Sequence, residues 1–408
     1  MIGGRDVVDS EGWAPVQDFP WAGTVEPSFA EVGDAFLANF AAGAEVGAGV
    51  CVYHRGRPVV DLRGGFADEA RTDPWRPDTL AILASPTKAL VTGAALLLVD
   101  RGVLDLDTPV ADHWPEFAAE GKAGITLRMV LSHRSGVVCL DHAPLTEASL
   151  RAHTPVAEAL AAARPEWEPD TAHGYHATTI GHLVSELVRR TTSLTVGAFF
   201  AREIAAPLGL DCYIGLPDPD AAHLATMLES KAEAVMAGAD PGDEIAFLTA
   251  LGDPASLSHR ATIGSMALDL APDPVTENPS YDGLASARSL ARFLASFVGE
   301  VDGFRLTSRE VARELRTVHS SGTCRTTLLP TTWGLGVMLP DGPLFPASAG
   351  LGTAFGLGGA NGNFTFADPE RDLAFAYVQN AGSAEIGRMD ERASRLVEAV
   401  YRSTGAGV

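Results

Sequence analysis

Ser28 followed by Glu31 forms a capping-box signal, and Phe29, Val32, Phe36 and Phe40 then recur at helical spacing, so an amphipathic helix is expected near 29–42. The period then changes. Gly49-Val50-Cys51-Val52-Tyr53, the turn His54-Arg55-Gly56-Arg57 and Pro58-Val59-Val60-Asp61-Leu62 predict a β-hairpin. Near the other terminus Trp333 to Leu339 and Asn363 to Ala367 read as strands, and Leu373, Phe375 and Tyr377 alternate after the turn Asp368 to Asp372. A last helix is expected to carry Ile386, Met389, Leu396 and Val400 on one face.

Most of the chain between these strand-rich ends has a helical pattern broken by Pro and Gly, clearest over Leu90 to Arg101, Val156 to Ala163, Ile180 to Arg190 and Leu284 to Val298. Strands at both ends with helices between predict an α+β fold: one antiparallel sheet built from the two chain ends, flanked by helices, with a mostly helical region inserted. The expected domains are 1–85 with 285–408, and 86–284, with a site between them. The stretch Pro217 to Asp282, with scattered Met227, Met236, Phe247, Met266 and Leu268, shows no clear period and is expected to be loop-rich, either walling a pocket, the slightly favoured reading, or forming long surface structure.

Composition narrows the function. The 408 residues are 46% hydrophobic and 20% charged, enough apolar surface to offset chain entropy over most of the length. Asp and Glu number 52 against 30 Lys and Arg, and a formal charge of -22 opposes binding to nucleic acid or an anionic membrane. The first fifteen residues lack a basic segment followed by an apolar one, and the apolar run Ala89 to Val99 is too short to span a bilayer, so a cytoplasmic location is expected. Cys51, Cys139, Cys212 and Cys324 lack metal-ligand spacing and are expected to be buried thiols. No metal or cofactor is implied.

Lysine is scarce, with only Lys88, Lys122 and Lys231. Ser85-Pro86-Thr87-Lys88 opens the apolar run Ala89 to Val99, which places the serine at a helix N-terminus with the lysine on the same face. With 23 serines and three lysines, chance gives roughly 0.2 Ser-x-x-Lys matches in the chain. A serine hydroxyl needs a proton acceptor before it can attack an ester, and a lysine serves once burial favours its neutral form. The bland alternative is a capping serine and a solvated lysine. Against it, lysine is electrostatically misplaced in a first turn, and this helix is apolar all round.

Tyr175, in the turn-rich Glu168 to Ala177 that enters the Ile180 helix, could relay a proton if it lies near that lysine, although a single tyrosine is more often packing. The segment Phe355-Gly356-Leu357-Gly358-Gly359-Ala360-Asn361-Gly362 lets a backbone approach a substrate and donate N–H groups, or is merely a tight connection. Leu131-Ser132-His133-Arg134-Ser135-Gly136 suggests a Ser/His pair but fits a helix terminus bonded by its own side chains better. GxSxG, HExxH, Walker and dinucleotide fingerprints are absent.

Together, Ser-Pro-Thr-Lys, the Leu131 to Gly136 segment, the Tyr175 motif and the glycine-rich segment before Phe364 to Pro369 resemble the serine β-lactamase and penicillin-binding-protein superfamily, closest to its class C-like branch of family VIII carboxylesterases and related acyltransferases. Asp105 to Val110, Pro207 to Leu210 and Trp333 to Gly336 extend the resemblance over about Val50 to Asn380. It implies a β-lactamase/transpeptidase-like fold, Ser85 as the acylated nucleophile, Lys88 as its base or proton partner and Tyr175 as a second general acid/base. It also implies an oxyanion hole made by the N–H groups of Ser85 and Ala360, with Leu357, Gly358 and Gly359 beside the substrate.

Two positions depart from the superfamily pattern. Ala177 stands where an asparagine is usual, and Leu357 stands where a lysine, histidine or tryptophan opens the third motif. A leucine cannot pair with a carboxylate, which argues against β-lactam hydrolysis and D-Ala-D-Ala transpeptidation. The expected activity is therefore serine acyl hydrolysis of a neutral ester through an acyl-enzyme on Ser85. An acyltransferase passing the acyl group to an amine or alcohol is the alternative, and a non-catalytic ligand-binding relative is a lesser one. The residues leave open whether Lys88 or Tyr175 is the dominant base, and they do not give the oligomeric state.

Overall fold

The computed structural model describes residues 19–140, 142–143, 145–228, 244–266, 274–345, 352–383 and 385–405. Its main sheet has nine strands, all antiparallel: β1 (Trp21–Val25), β2 (Gly47–His54), β3 (Arg57–Gly65), β7 (Ser320–Thr323), β8 (Pro330–Trp333), β9 (Met338–Leu339), β10 (Phe355–Gly358), β11 (Phe364–Asp368) and β12 (Leu373–Gln379). Their order is β1-β3-β2-β12-β11-β10-β9-β8-β7, so the two chain ends meet at the β2/β12 ladder. A small second sheet joins β4 (Ala81–Ile82), β6 (Leu284–Ala285) and β5 (Cys212–Tyr213) in the order β4-β6-β5.

The side-chain sizes on the two sheet faces explain how helices cover them. Register places Ala374, Ala376 and Val378 of β12 beside Tyr53, Cys51 and Gly49 of β2 on one face. Helix α4 (Ala287–Val298) lies there, close enough that a Cβ on Gly49 would stand 3.3 Å from that of Ala287. The opposite face carries Phe366 and Phe375, stacked at 5.1 Å, and Phe366 meets Tyr401 of α5 (Glu391–Ser403), which packs on α1 (Ala30–Ala41). Both faces are thus buried, and every residue of β12 lies in the interior. Helix α2 (Thr87–Asp100) is buried on nearly all sides, which accounts for its lack of a polar stripe. Against α4 it approaches so closely at Gly93 that a Cβ there would lie 2.7 Å from Phe293.

The expected hairpin and the helices near 29–42, 90–101, 156–163 and 180–190 are found, the last as α3 (Thr179–Thr192). Four expectations change. Trp333 to Leu339 is not one strand: Trp333 ends β8, residues 334–337 turn, and Met338 pairs back with Trp333. Gly336 makes that turn at φ +67°, where a Cβ would collide with Thr92 at 2.0 Å. The helix expected from Leu284 begins at Ala287, because Leu284 and Ala285 pair in β6 and the Ser286 hydroxyl accepts the Ser289 N–H as a cap. Asp390 likewise caps α5 through the Arg392 N–H, leaving Ile386 and Met389 ahead of the helix rather than on its face. Among the described residues of Pro217 to Asp282 there are two α-helices, Glu244–Gly252 and Leu257–Ala261, the second capped by Ser256, and two 3-10 turns, Pro219–Ala221 and Ile263–Ser265; Met236 and Leu268 lie outside the described residues.

All four cysteines are buried as thiols. No helix among the described residues is long and apolar enough to cross a membrane.

Candidate active site

Strand β4 delivers the chain to Ala84, which takes a left-handed φ of 57°, a costly conformation for a residue with a Cβ, and then to Ser85. The start of α2 follows at once, and its cap position has no side-chain hydrogen bond, so the Ser85 hydroxyl is not spent on capping. Instead Ser85 Oγ receives the Tyr175 O–H at 2.7 Å and lies 3.4 Å from Lys88 Nζ. The ammonium also stands 5.0 Å from the centre of the Tyr175 ring. Serine, lysine and tyrosine, separated by 90 positions in sequence, are thereby one cluster.

Lys88 is 2% exposed and donates to the Ser280 carbonyl at 2.7 Å. Burial pulls its pKa down to about 7, against the opposing pull of the Asp282 carboxylate. Asp282 is itself raised to about 6 by burial, with the Asn278 side chain and Lys88 lowering it. Burial holds the Tyr175 phenol above its ordinary pKa, so the ring enters the site as an O–H donor. The segment carrying Ser280 and Asp282 is tied beneath the helix start, because Leu83 N–H donates to Gly283 C=O and Gly283 N–H to Thr87 Oγ1. Ser280 reaches across to α3, giving its hydroxyl to Thr178 C=O and accepting the Gly181 N–H.

The glycine-rich segment begins as strand β10, with Leu357 paired to Thr365, and only residues from Gly359 onward form a loop. Asn361 and Asn363 both donate side-chain amides to Ile82 C=O at 2.8 Å, pinning this loop against the residues that precede Ser85. Gly359 packs so closely that a Cβ would lie 2.8 Å from Leu83 C=O. The loop bearing Ala360 is therefore brought to the nucleophile candidate. Leu357 is 1% exposed, belongs to the apolar core and offers no charge.

The Leu131 to Gly136 segment is a helix terminus, as its residue types suggested: Ser132 Oγ donates to Arg128 C=O and accepts from Arg134. Ser135 and His176 do form a pair at 2.6 Å, but both are fully buried and His176 Nδ1 bonds Gly174 C=O at 2.7 Å, so the pair is structural. Sequence reasoning missed Ser280 and Asp282, which no short-range signal connects to Lys88, and the contact of Trp333 with Tyr175, whose rings stack at 5.3 Å and 11°.

An antiparallel sheet closed by both chain ends, beside helices whose N-terminal turn holds a buried Ser-x-x-Lys, is the architecture of active-site-serine enzymes with the β-lactamase/transpeptidase fold. The chain belongs to the beta-lactamase family, whose sequence model matches residues 34–399. It is 34% identical to the esterase/beta-lactamase LipL of Mycobacterium tuberculosis H37Rv over 373 residues, 88% of this chain and 82% of that one. It superposes on the crystal structure of a family VIII carboxylesterase with a TM-score of 0.80 at 32% identity, covering 94% of this chain and 99% of the other. A shorter similarity, 30% over 158 residues, links 34% of the chain to 38% of the monacolin J acid methylbutanoyltransferase of Aspergillus terreus.

Proposed function

We propose that the protein hydrolyses small neutral esters through an acyl-enzyme on Ser85. The observation that carries this is the convergence of Tyr175 Oη and Lys88 Nζ on Ser85 Oγ, at 2.7 and 3.4 Å. Similarity to LipL and to a family VIII carboxylesterase supports the ester as substrate class.

In this reading neutral Lys88 takes the Ser85 proton as Oγ attacks the ester carbonyl. Lys88 is favoured over Tyr175 as the base because burial lowers the ammonium toward neutrality, while it makes a phenolate harder to form. The N–H groups of Ser85 and Ala360 receive the developing oxyanion. Collapse of the tetrahedral intermediate breaks the ester C–O bond, and the departing alkoxide leaves as an alcohol after taking a proton through Tyr175, which Lys88 replenishes. Water then attacks the acyl-enzyme by the reverse path, releasing the acid and restoring the Ser85 hydroxyl.

Transfer to an amine or alcohol uses the same groups, and the partial similarity to a methylbutanoyltransferase favours it as the second reading. Intact-protein mass spectrometry with a panel of short activated esters, with and without acceptors, separates them. An adduct on the wild type that is missing from Ser85→Ala and decays in water supports the hydrolase. One that persists until an acceptor is added supports the transferase, and no adduct with any ester overturns both.

A further inference from the structure

Tyr175 belongs to no helix or strand, so its backbone groups have no ladder to satisfy them, yet its phenol must be held at hydrogen-bond distance from Ser85. The turn that follows β7 gives the N–H its partner and gives the carbonyl, which also accepts the Ala177 N–H at 3.0 Å, a second one. Cys324 Sγ accepts the Tyr175 N–H at 3.1 Å, Thr326 Oγ1 donates to the Tyr175 carbonyl at 3.0 Å, and the Arg325 N–H donates to the His173 carbonyl at 3.0 Å.

This turn is itself built to be rigid. Cys324 and Thr326 are fully buried, Sγ also accepts the Thr327 N–H at 3.4 Å, and backbone bonds from Cys324 N–H to Leu329 and from Leu328 N–H to Cys324 close it. It connects β7 to β8, and β8 ends in Trp333, the ring on which Tyr175 stacks. One hairpin therefore grips both the main chain and the side chain of the tyrosine. A sulfur is a weak acceptor and an uncommon choice where a hydroxyl or carbonyl would bond more strongly.

We propose that Cys324 and Thr326 are positioning residues for proton transfer, holding the Tyr175 main chain so that its hydroxyl meets Ser85. The proposal rests on the assignment of Tyr175 to proton transfer given above. Without the Sγ acceptor the Tyr175 segment shifts, and the loss falls on kcat rather than on ester binding, since misplacement on the order of 1 Å can cost up to about 100-fold in rate.

Steady-state kinetics on one activated ester test this with Cys324→Ala, Cys324→Ser, Thr326→Val, Tyr175→Phe and the double variant Cys324→Ala/Tyr175→Phe. The expected result is a kcat roughly ten-fold lower for Cys324→Ala and Thr326→Val with KM within about two-fold, and recovery to within about three-fold in Cys324→Ser, whose hydroxyl can accept the same N–H. In the Tyr175→Phe background, Cys324→Ala should add little further loss, because the group it positions is already gone. A wild-type kcat in both Cys324→Ala and Thr326→Val, or an equal loss with and without Tyr175, overturns the proposal. Full activity of Tyr175→Phe overturns the assignment beneath it. If Cys324→Ala does not fold, Cys324→Ser and Thr326→Val still decide.

Discussion

Lys88 Nζ lies nearer the Ser280 carbonyl oxygen, at 2.7 Å, than the Ser85 hydroxyl, at 3.4 Å. A carbonyl only accepts, so one N–H of the lysine is committed to Ser280 in either protonation state. In the neutral amine this bond fixes the head group and leaves a lone pair for Ser85. Ser280 thus orients the base without competing for its proton.

With Lys88 titrating at about 7, the acid limb of kcat/KM should rise through neutral pH and level off above it, because only the neutral amine accepts the Ser85 proton. A pH profile on a slow ester measures the limb directly. A profile flat from about pH 5 to about pH 9, two units either side of that midpoint, would remove Lys88 from the role of base.

Asp282 should set where that limb falls. Its charge favours the protonated lysine, so Asp282→Asn lowers the Lys88 pKa further and moves the limb to lower pH. The expected displacement is about one pH unit, with the plateau rate changed less than about three-fold. Lost activity at an unmoved midpoint would mean that Asp282 acts only in holding its segment.

The buried lysine should also cost stability. Lys88→Met is expected to abolish turnover yet unfold later, by about 1–3 kcal/mol, since a group of similar length replaces a charge held away from water. The size of the effect varies with pH while its sign does not. A lysine whose folded pKa is about 7 instead of 10.5 penalises the native state fully below pH 7, and the penalty shrinks as pH rises toward 10.5. The advantage of the variant should shrink in the same window, as denaturant melts at several pH values will show; a variant less stable throughout would refute the argument.

Leu357→Lys, which restores a charge common at the third motif, should destabilise the fold by on the order of 3 kcal/mol, because it puts a cation where a side chain is 1% exposed among apolar core residues. It should confer no penicillin hydrolysis. A stable variant that opens a chromogenic cephalosporin would show that the leucine alone withholds that activity.

What the sequence made legible was whatever is encoded locally. Ser85 and Lys88 stand out because helical spacing puts them on one face, and the hairpin Gly47 to Gly65 because its period and turn residues are adjacent. Ser280 did not stand out, since its contribution is a carbonyl, which every residue has. Its position beneath Lys88 comes from the Leu83–Gly283 bond between distant segments. Cys324 was noticed only as a thiol, and its bond to Tyr175 joins positions 149 apart. The misjudged helix starts at Ser286 and Asp390 share one cause: apolar residues ahead of a cap continue the helical period by chance, while the cap decides where the helix begins.

Strand β2 is flanked in the finished sheet by β3, which follows it at once, and by β12, which is made far later; the Gly47 N–H waits for the Asn380 side chain 333 positions on. On the ribosome the apolar hairpin β2-β3 therefore has one open edge while those 333 positions are made, and closing so long a loop is slow. Ser85 shares this delay, because the loop carrying Ala360, which is pinned beside it through Ile82, is also made far later. Over that interval the hazard for this chain is an open strand edge seeking another partner, and the candidate site is completed as that edge is sealed.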